Sequence, residues 1–243
     1  KSVGLGSRPE QRNIRMIHRL QIRPESKGLG MTSQRARDRL IERLREQGIK
    51  DERVLNVMRG LPRHAFLDEA LASRAYEDTA LPIGKGQTIS QPWVVARMTE
   101  ALIEKRMPAK VLEIGTGCGY QAAVLSLLAT EVYSIERLRG LHDKARDNLR
   151  PLRLANLHLL FGDGMVGYAK GAPYAGIIAA AGGEAVPQAW VDQLALGGRL
   201  VAPVVTAGAP GSQALLVLDK TAQGVRQTIL EAVHFVPLKS GVA

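Results

Sequence analysis

Apolar residues recur at every third or fourth position in the first part of the chain after residue 30. This is the spacing of helices that bury one face. Ser33 is a typical N-cap before the first of these series, and Pro62 ends the second. The stretch 74–91 contains proline and glycine and is predicted to be extended or loop. The predicted helices run from Ser33 to Gly48, from Val54 to Leu61 and from Pro92 to about Arg106.

From residue 110 the pattern changes to short apolar runs that alternate with amphipathic stretches. Strands and helices in alternation form parallel sheets with right-handed crossovers. Two further apolar runs flank Asp219–Gly224 and predict a closing hairpin, which is common at the edge of such a sheet. We therefore predict an α/β fold with a doubly wound, mostly parallel sheet, N-terminal helices and a C-terminal antiparallel hairpin. The predicted strands are 111–114, 131–135, 157–161, 176–180, 199–205, 213–218 and 225–235, and the helices between them are 120–128, 138–149 and 187–194.

Length and composition limit the class of protein. A chain of 243 residues with 45% hydrophobic and 23% charged residues is an ordinary globular sequence, which argues against general disorder. No apolar run approaches the roughly 18 to 20 residues that cross a bilayer. The single cysteine, Cys118, excludes an internal disulfide framework, and the five histidines lack metal-ligand spacing. With no secretory signal pattern, we expect a reducing cytoplasm and no metal.

The formal charge of +10 is concentrated at the beginning of the sequence. Residues 1–30 contain seven basic and two acidic residues, which is half of the excess. One interpretation is an arm for nucleic acid or an anionic surface. We favour a flexible extension, or translated upstream sequence before a natural start at Met31, because the segment lacks aromatic residues for base stacking. We therefore divide the chain into residues 1–30 and a domain at 31–243, and expect at most nonspecific nucleic-acid contact.

The most informative run is VLEIGTGCGY at 111–120. A predicted strand ends in a glycine turn that opens a helix, which is where open α/β sheets bind ligands. The dinucleotide motif G-x-G-x-x-G needs a third small residue at 120, and that position is Tyr120. The observed G-x-G-x-G spacing after Glu113 fits S-adenosylmethionine better. Its ammonium and ribose groups need acidic partners, and its carboxylate can use loop N–H groups. Tight strand–helix turns also need glycine for steric reasons alone.

Two acidic residues follow the next two predicted strands. Glu136 ends the second strand, where doubly wound folds place a carboxylate on ribose hydroxyls. Asp163 follows the third strand between two glycines, and we expect it to accept a hydrogen bond from an adenine amino group. Either residue alone is equally compatible with a solvated acid in a turn. Their shared position at strand ends predicts an S-adenosylmethionine site.

The run RAYEDTALPIG at 74–84, followed by GQTISQP at 86–92, carries a resemblance to a known family. It is similar to the stretch before the first cofactor motif of the protein-L-isoaspartate O-methyltransferases, and TISQP is specific to that family among methyltransferases. The similarity continues through the glycine loop and ends with Val233–Leu238. It covers nearly everything from Met31 onward and leaves residues 1–30 unmatched. Within the domain, the resemblance implies a substrate segment at 31–109 and a cofactor-binding sheet at 110–243.

The resemblance implies the S-adenosylmethionine-dependent methyltransferase fold and a function in protein repair. An enzyme of this family methylates the free α-carboxylate of an L-isoaspartyl residue, so that the ester can collapse to a succinimide. Ser90 is then the active-site residue, isoaspartyl peptides and proteins are the partners, and we expect a monomer. The predicted cofactor-binding residues are Gln87, Thr88, Ile89, Ser90, Glu113, Gly115, Thr116, Gly117, Cys118, Gly119, Glu136, Arg137, Asp163 and Gly164.

A neutral hydroxyl at position 90 suits a carboxylate acceptor. A carboxyl group with an ordinary pKa near 4 is already ionised at pH 7, so no general base is required. Transfer from a sulfonium to a carboxylate removes charge, so a full positive partner would stabilise the reactants more than the transition state. Ser90 avoids that penalty, and its place before Pro92 predicts free N–H groups at a helix start. Helix capping is the alternative role for Ser90.

Two other functions are alternatives to isoaspartyl methylation. A nucleic-acid or other protein methyltransferase of the same fold is the first. However, amino-methylating enzymes of nucleic acids carry an Asn/Asp/Ser-Pro-Pro-aromatic run where this chain has Ala179–Gly183. Cytosine-C5 enzymes use a Pro-Cys nucleophile, whereas Cys118 follows Gly117. The second alternative is a binding protein that keeps the cofactor fold, and Ser90 with its flanking residues argues against it.

Overall fold

The structure, a computed structural model, describes residues 30–207 and 211–243. The predictions for the segment before residue 30, including its flexibility and its nucleic-acid contacts, lie outside the described residues. None of the helices in the described part of the chain is long and apolar enough to cross a membrane.

Three α-helices precede the main sheet in this part of the chain, as the apolar spacing predicts. The Ser33 side chain accepts a hydrogen bond from the Ala36 N–H and caps the first helix. The third helix ends three residues before the predicted Arg106. Arg199 Nη1 donates to the Ala101 carbonyl at 2.8 Å, and this contact satisfies a carbonyl of the last turn. The helices are α1 (Gln34–Glu46), α2 (Glu52–Gly60) and α3 (Pro92–Ile103).

A small hairpin lies between α2 and α3, where extended or loop structure is predicted. Strands β1 (Leu81–Gly84) and β2 (Gln87–Ile89) pair antiparallel. Their turn has positive φ at Gly84, Lys85 and Gly86. The sequence does not reveal this pairing, because the two strands are only four and three residues long and the first contains a proline. The hairpin holds residues 87–89 in an extended strand just before α3.

The main sheet has seven strands within the described residues. They are β3 (Lys110–Ile114), β4 (Glu131–Glu136), β5 (Leu157–Phe161), β6 (Tyr174–Ala179), β7 (Leu194–Val205), β8 (Gln213–Thr221) and β9 (Gly224–Val233). Their order in the sheet is β5-β4-β3-β6-β7-β8-β9. The first five strands in this order pair in parallel, and β7, β8 and β9 pair antiparallel. This arrangement confirms the predicted doubly wound sheet with its terminal hairpin. The helices between them are α4 (Tyr120–Ser126), α5 (Arg139–Leu149) and α6 (Gln188–Gln193).

Strand β7 begins five residues before the predicted start at 199. Leu194 pairs with Tyr174, and the register then shifts so that Arg199 pairs with Gly176. Gly197 in the shifted segment has φ +76°. The two glycines of this segment resemble a turn in the sequence, but they form an irregularity within a continuous strand.

The central strands separate two apolar layers. Val111 faces the layer that contains the buried sides of α1 to α5, and its neighbour Leu112 faces the opposite layer with Trp190 of α6. This alternation is the expected pleat of a strand that is buried on both faces. The chain leaves β3 towards β4 and β5 and then returns to β6 on the other side of β3. The carboxyl end of β3 therefore lies at the switch point, where ligands bind in this class of sheet.

Candidate active site

A cavity of about 290 Å³ lies at this switch point, where β3 leads into the glycine loop. It brings together residues that are far apart in the sequence, from the β1–β2 hairpin to the segment after β9. The predicted site residues in its wall are Gln87, Thr88, Ile89, Ser90, Gly115, Thr116, Gly117, Cys118, Glu136, Arg137 and Gly164. Glu113, Gly119 and Asp163, which were also predicted, are not part of this wall.

Backbone hydrogen bonds tie the glycine loop to the end of β4. The N–H groups of Gly115 and Thr116 donate to the Ile135 carbonyl at 2.9 and 3.2 Å. The Gly117 N–H donates to Glu136 Oε2 at 2.9 Å. These three N–H groups therefore already have protein acceptors. The expectation that N–H groups of this loop bind the cofactor carboxylate stays a prediction.

Glu136 is the acidic residue that the structure places in the wall. It is 5% exposed, and its second oxygen, Oε1, accepts from the Leu138 N–H at 2.9 Å. Each carboxylate oxygen can accept more than one hydrogen bond, so both remain able to bind ligand hydroxyls. The carboxylate thus closes the glycine loop and also offers acceptors to the cavity.

Glu113 lies behind the loop, and the expectation of direct cofactor contact needs correction. Its side chain is fully buried, and Oε2 accepts from the Ser134 hydroxyl at 2.5 Å. The Ser134 and Thr116 hydroxyls are 2.6 Å apart, and Thr116 is part of the wall. Burial raises the pKa of Glu113 to about 8. Glu113 is therefore a protonated support for the loop at neutral pH.

This buried acid makes the stability of the fold depend on pH. The unfolded chain has a glutamate pKa near 4.3, so between about pH 4.5 and 8 the folded state binds the extra proton and its stability falls as pH rises. Glu113→Gln removes this titration. We measure the free energy of unfolding in urea at pH 5 and at pH 8. Between these values we expect it to fall by at least about 1 kcal/mol more in the wild type than in the variant. Parallel pH profiles of the two proteins would contradict the assignment.

Gly119 and Asp163 have structural partners of their own. A Cβ at Gly119 would lie 2.8 Å from Leu149 Cδ1, so the glycine permits close packing against α5, and its contact with the cofactor stays a prediction. Asp163 Oδ1 accepts from the Met165 N–H at 2.8 Å, and Oδ2 accepts from the Gly241 N–H at 2.7 Å. The contact of Asp163 with adenine stays a prediction.

Gly164 and Cys118 show how tightly the wall is packed. A Cβ at Gly164 would lie 2.5 Å from Ile114 Cγ2, so a larger residue cannot fit there unless the Ile114 side chain moves. Its carbonyl accepts from Trp190 Nε1 at 2.8 Å. The Cys118 side chain is buried, and the Cys118 carbonyl accepts from Asn148 Nδ2 at 3.0 Å. Both residues are therefore held by contacts beyond the cavity.

Ser90 lies between this cavity and a second one of about 530 Å³, because it lines both. The alternative capping role of Ser90 is not observed, because Gln91 is the N-cap of α3. Two positions at this helix start do not offer the free N–H groups that were predicted. Pro92 has none, and the Trp93 N–H donates to Asp78 Oδ1 at 2.8 Å. Within residues 30–207 and 211–243, no group is hydrogen-bonded to the Ser90 hydroxyl.

The last residues of β9 and the segment after it complete both cavities, although the sequence predicts no site role for them. Residues 236–239 line the smaller cavity, and 232–236 line the larger one. The segment is anchored where the Gly182 N–H donates to the Val236 carbonyl at 2.9 Å and the Leu238 N–H donates to the Gly182 carbonyl at 2.7 Å. The family resemblance at Val233–Leu238 is the one sequence feature that points to a role for this segment. An irregular segment has no apolar period from which its position could be predicted.

Comparison with known proteins decides the family. The model of the family described as Protein-L-isoaspartate(D-aspartate) O-methyltransferase matches residues 34–243. The chain belongs to this family. It is therefore an enzyme that methylates isoaspartyl residues in protein repair with S-adenosylmethionine, and the family resemblance is confirmed.

Individual relatives agree with the family model. The chain is 58% identical to a protein-L-isoaspartate O-methyltransferase of Methylibium petroleiphilum, over 88% of this chain and 81% of the relative. It is 58% identical to that of Xanthomonas euvesicatoria pv. vesicatoria, over 93% and 99%. A match over 93% of the chain is longer than residues 31–243 can supply, so it reaches into residues 1–30, and the expectation that this segment is unmatched is wrong.

Solved structures show the same likeness. One protein-L-isoaspartate O-methyltransferase is 28% identical with a TM-score of 0.76, over 85% of this chain and 67% of that one. A second, from Plasmodium falciparum in complex with S-adenosyl-L-homocysteine, is 25% identical with a TM-score of 0.72, over 83% and 97%.

Proposed function

We propose that methyl transfer takes place beside the Ser90 hydroxyl, onto the free α-carboxylate of an L-isoaspartyl residue. The observation that carries this proposal is the place of Ser90 in the walls of two adjoining cavities. The smaller cavity contains the glycine loop and Glu136, and the larger one does not. The smaller cavity is then the cofactor side, and the larger cavity receives the damaged peptide.

The residues of the smaller cavity fit S-adenosylmethionine. Glu136 offers carboxylate acceptors for ribose hydroxyls. Gly115 and Gly117 have φ values of +90° and +57°, which bring the backbone to the cavity without a side chain. Apolar side chains of Ile135 and Leu141 provide a surface for an aromatic ring. When bound, the cofactor supplies a methyl group activated by a sulfonium charge.

The chain's own contribution is orientation of the acceptor and exclusion of water. The Ser90 hydroxyl can donate to one carboxylate oxygen while the other stays free to react. Because the acceptor is already ionised, no residue has to remove a proton. The segment 236–239 covers part of the cofactor cavity, which limits access of water to the reacting atoms. Alignment by these groups is the main source of acceleration.

The remaining expectations concern partners and compartment. Isoaspartyl peptides and proteins are the substrates, and a monomer is the proposed acting form. The free, buried thiol of Cys118 suits a reducing cytoplasm.

Paired peptides test this function directly. Two synthetic peptides of one sequence, with either an L-isoaspartyl or an aspartyl residue, are incubated with tritiated S-adenosylmethionine and the enzyme. We expect base-labile label on the isoaspartyl peptide and only background on the aspartyl peptide. Equal labelling of the two peptides, or label on added RNA or DNA instead, would overturn the proposal.

A further inference from the structure

We infer that Arg63 is a positioning residue that fixes the backbone of Ser90, a role that rests on the proposed function of that serine. Arg63 follows Pro62 in a short turn and belongs to neither cavity wall. Its Nη2 donates to the Ser90 carbonyl at 2.8 Å, and its Nε donates to the Ala75 carbonyl at 2.9 Å. One guanidinium thus joins the segment before the β1–β2 hairpin to the residue after it.

Burial of the Arg63 guanidinium is unfavourable for folding. A contribution to stability therefore does not explain why an arginine occupies this position. Its side chain is 0% exposed, and within the described residues its Nη1 has no hydrogen-bond partner. No carboxylate of these residues contacts it; that of Asp78 accepts from the Trp93 N–H instead. A buried charge without an ionic partner is destabilising, and an apolar residue of similar volume is often neutral or better for the fold.

The contact with the Ser90 carbonyl restrains the peptide group between Ser90 and Gln91. On the other side of this peptide, Pro92 limits Gln91 to extended backbone, and Gln91 has φ −49° and ψ 136°. The peptide plane is therefore fixed from both sides. A hydrogen bond to a charged donor is also stronger than one to a neutral donor. The direction of the Ser90 side chain, and with it the position of the hydroxyl between the cavities, follows from this restraint.

Arg63 also contacts the cofactor side, so its two possible routes of action must be separated. Its Cζ lies 5.0 Å from the centre of the Tyr120 ring, and Tyr120 lines the smaller cavity. Action through Tyr120 would change cofactor affinity. Action through Ser90 would change turnover and would disappear when the Ser90 hydroxyl is absent.

A double-mutant cycle tests this inference. Arg63→Lys and Arg63→Met are made in the wild-type and Ser90→Ala backgrounds, with Arg74→Lys as control, because Arg74 is half exposed and pairs with Glu77. Thermal unfolding checks the fold, calorimetry gives the Kd of S-adenosylhomocysteine, and rates on the isoaspartyl peptide give kcat and KM. We expect Arg63→Lys to lower kcat about tenfold or more with Kd within about threefold. In the Ser90→Ala background the same change should alter kcat less than about twofold.

Each other result for Arg63→Lys overturns the inference. An equal loss of kcat in both backgrounds, or a rise in Kd that accounts for the loss, would assign Arg63 to the cofactor side. If neither variant folds, Arg63 serves the fold alone. If only Arg63→Met fails to fold, Arg63→Lys decides. A wild type that labels no isoaspartyl peptide would refute the proposed function itself, and this inference with it.

Discussion

Ser90→Ala should lower kcat on an isoaspartyl peptide by about 10² to 10³-fold while the Kd of S-adenosylhomocysteine stays within a few-fold. The hydroxyl is a neutral donor that orients one carboxylate oxygen, and alanine leaves the acceptor free to turn. Cofactor affinity is retained because the substitution leaves the glycine loop and Glu136 in place. Initial rates at saturating cofactor, together with calorimetry, measure the two effects separately.

Ser90→Thr is the matched control, because it keeps a hydroxyl at the same backbone position. We expect it to retain more turnover than Ser90→Ala. If Ser90→Ala weakens cofactor binding as much as it lowers kcat, Ser90 shapes the cavity rather than orienting the acceptor. If Ser90→Ala has full activity, the proposed site of transfer is wrong.

Glu136→Ala should weaken cofactor binding by about 1 to 3 kcal/mol, the range of a buried hydrogen bond to a charged group. The carboxylate is the predicted partner of the ribose hydroxyls, and it also accepts from the Gly117 and Leu138 N–H groups. Alanine removes both contributions, so the loop loses a restraint as well as a ligand contact. Calorimetry with S-adenosylhomocysteine gives the change in free energy.

Glu136→Gln separates the two contributions. Its amide oxygen can still accept from one backbone N–H, but the negative charge is lost. We expect an affinity between those of the wild type and Glu136→Ala, with thermal stability closer to the wild type. Unchanged affinity in Glu136→Ala would reject the ribose assignment.

The fold could be predicted from the sequence wherever a regular apolar period exists. The parallel strands from β3 to β7 and helices α1 to α6 follow such periods. The β1–β2 hairpin could not be predicted, because its strands are too short to show alternation. The early start of β7 was hidden because Leu194 pairs with Tyr174 across an irregularity that contains two glycines.

The sequence predicts the part of the candidate site that lies at the carboxyl ends of the parallel strands. Glu113 and Glu136 both occur at the ends of parallel strands, so the sequence pattern cannot separate their roles. The difference comes from tertiary packing, which buries Glu113 against the Ser134 hydroxyl and leaves Glu136 in the cavity wall. The segment 236–239 was missed for a related reason. Its position depends on contacts with Gly182, which local sequence does not encode.

A crystal structure with S-adenosylhomocysteine and an isoaspartyl peptide bound together would show whether methyl transfer takes place beside Ser90. We expect adenosine in the cavity beside the glycine loop, with the ribose hydroxyls hydrogen-bonded to Glu136. We also expect one oxygen of the isoaspartyl α-carboxylate within about 2.6 to 3.2 Å of Ser90 Oγ. An adenosine bound away from Glu136, or a carboxylate beyond hydrogen-bond reach of Ser90, would contradict it.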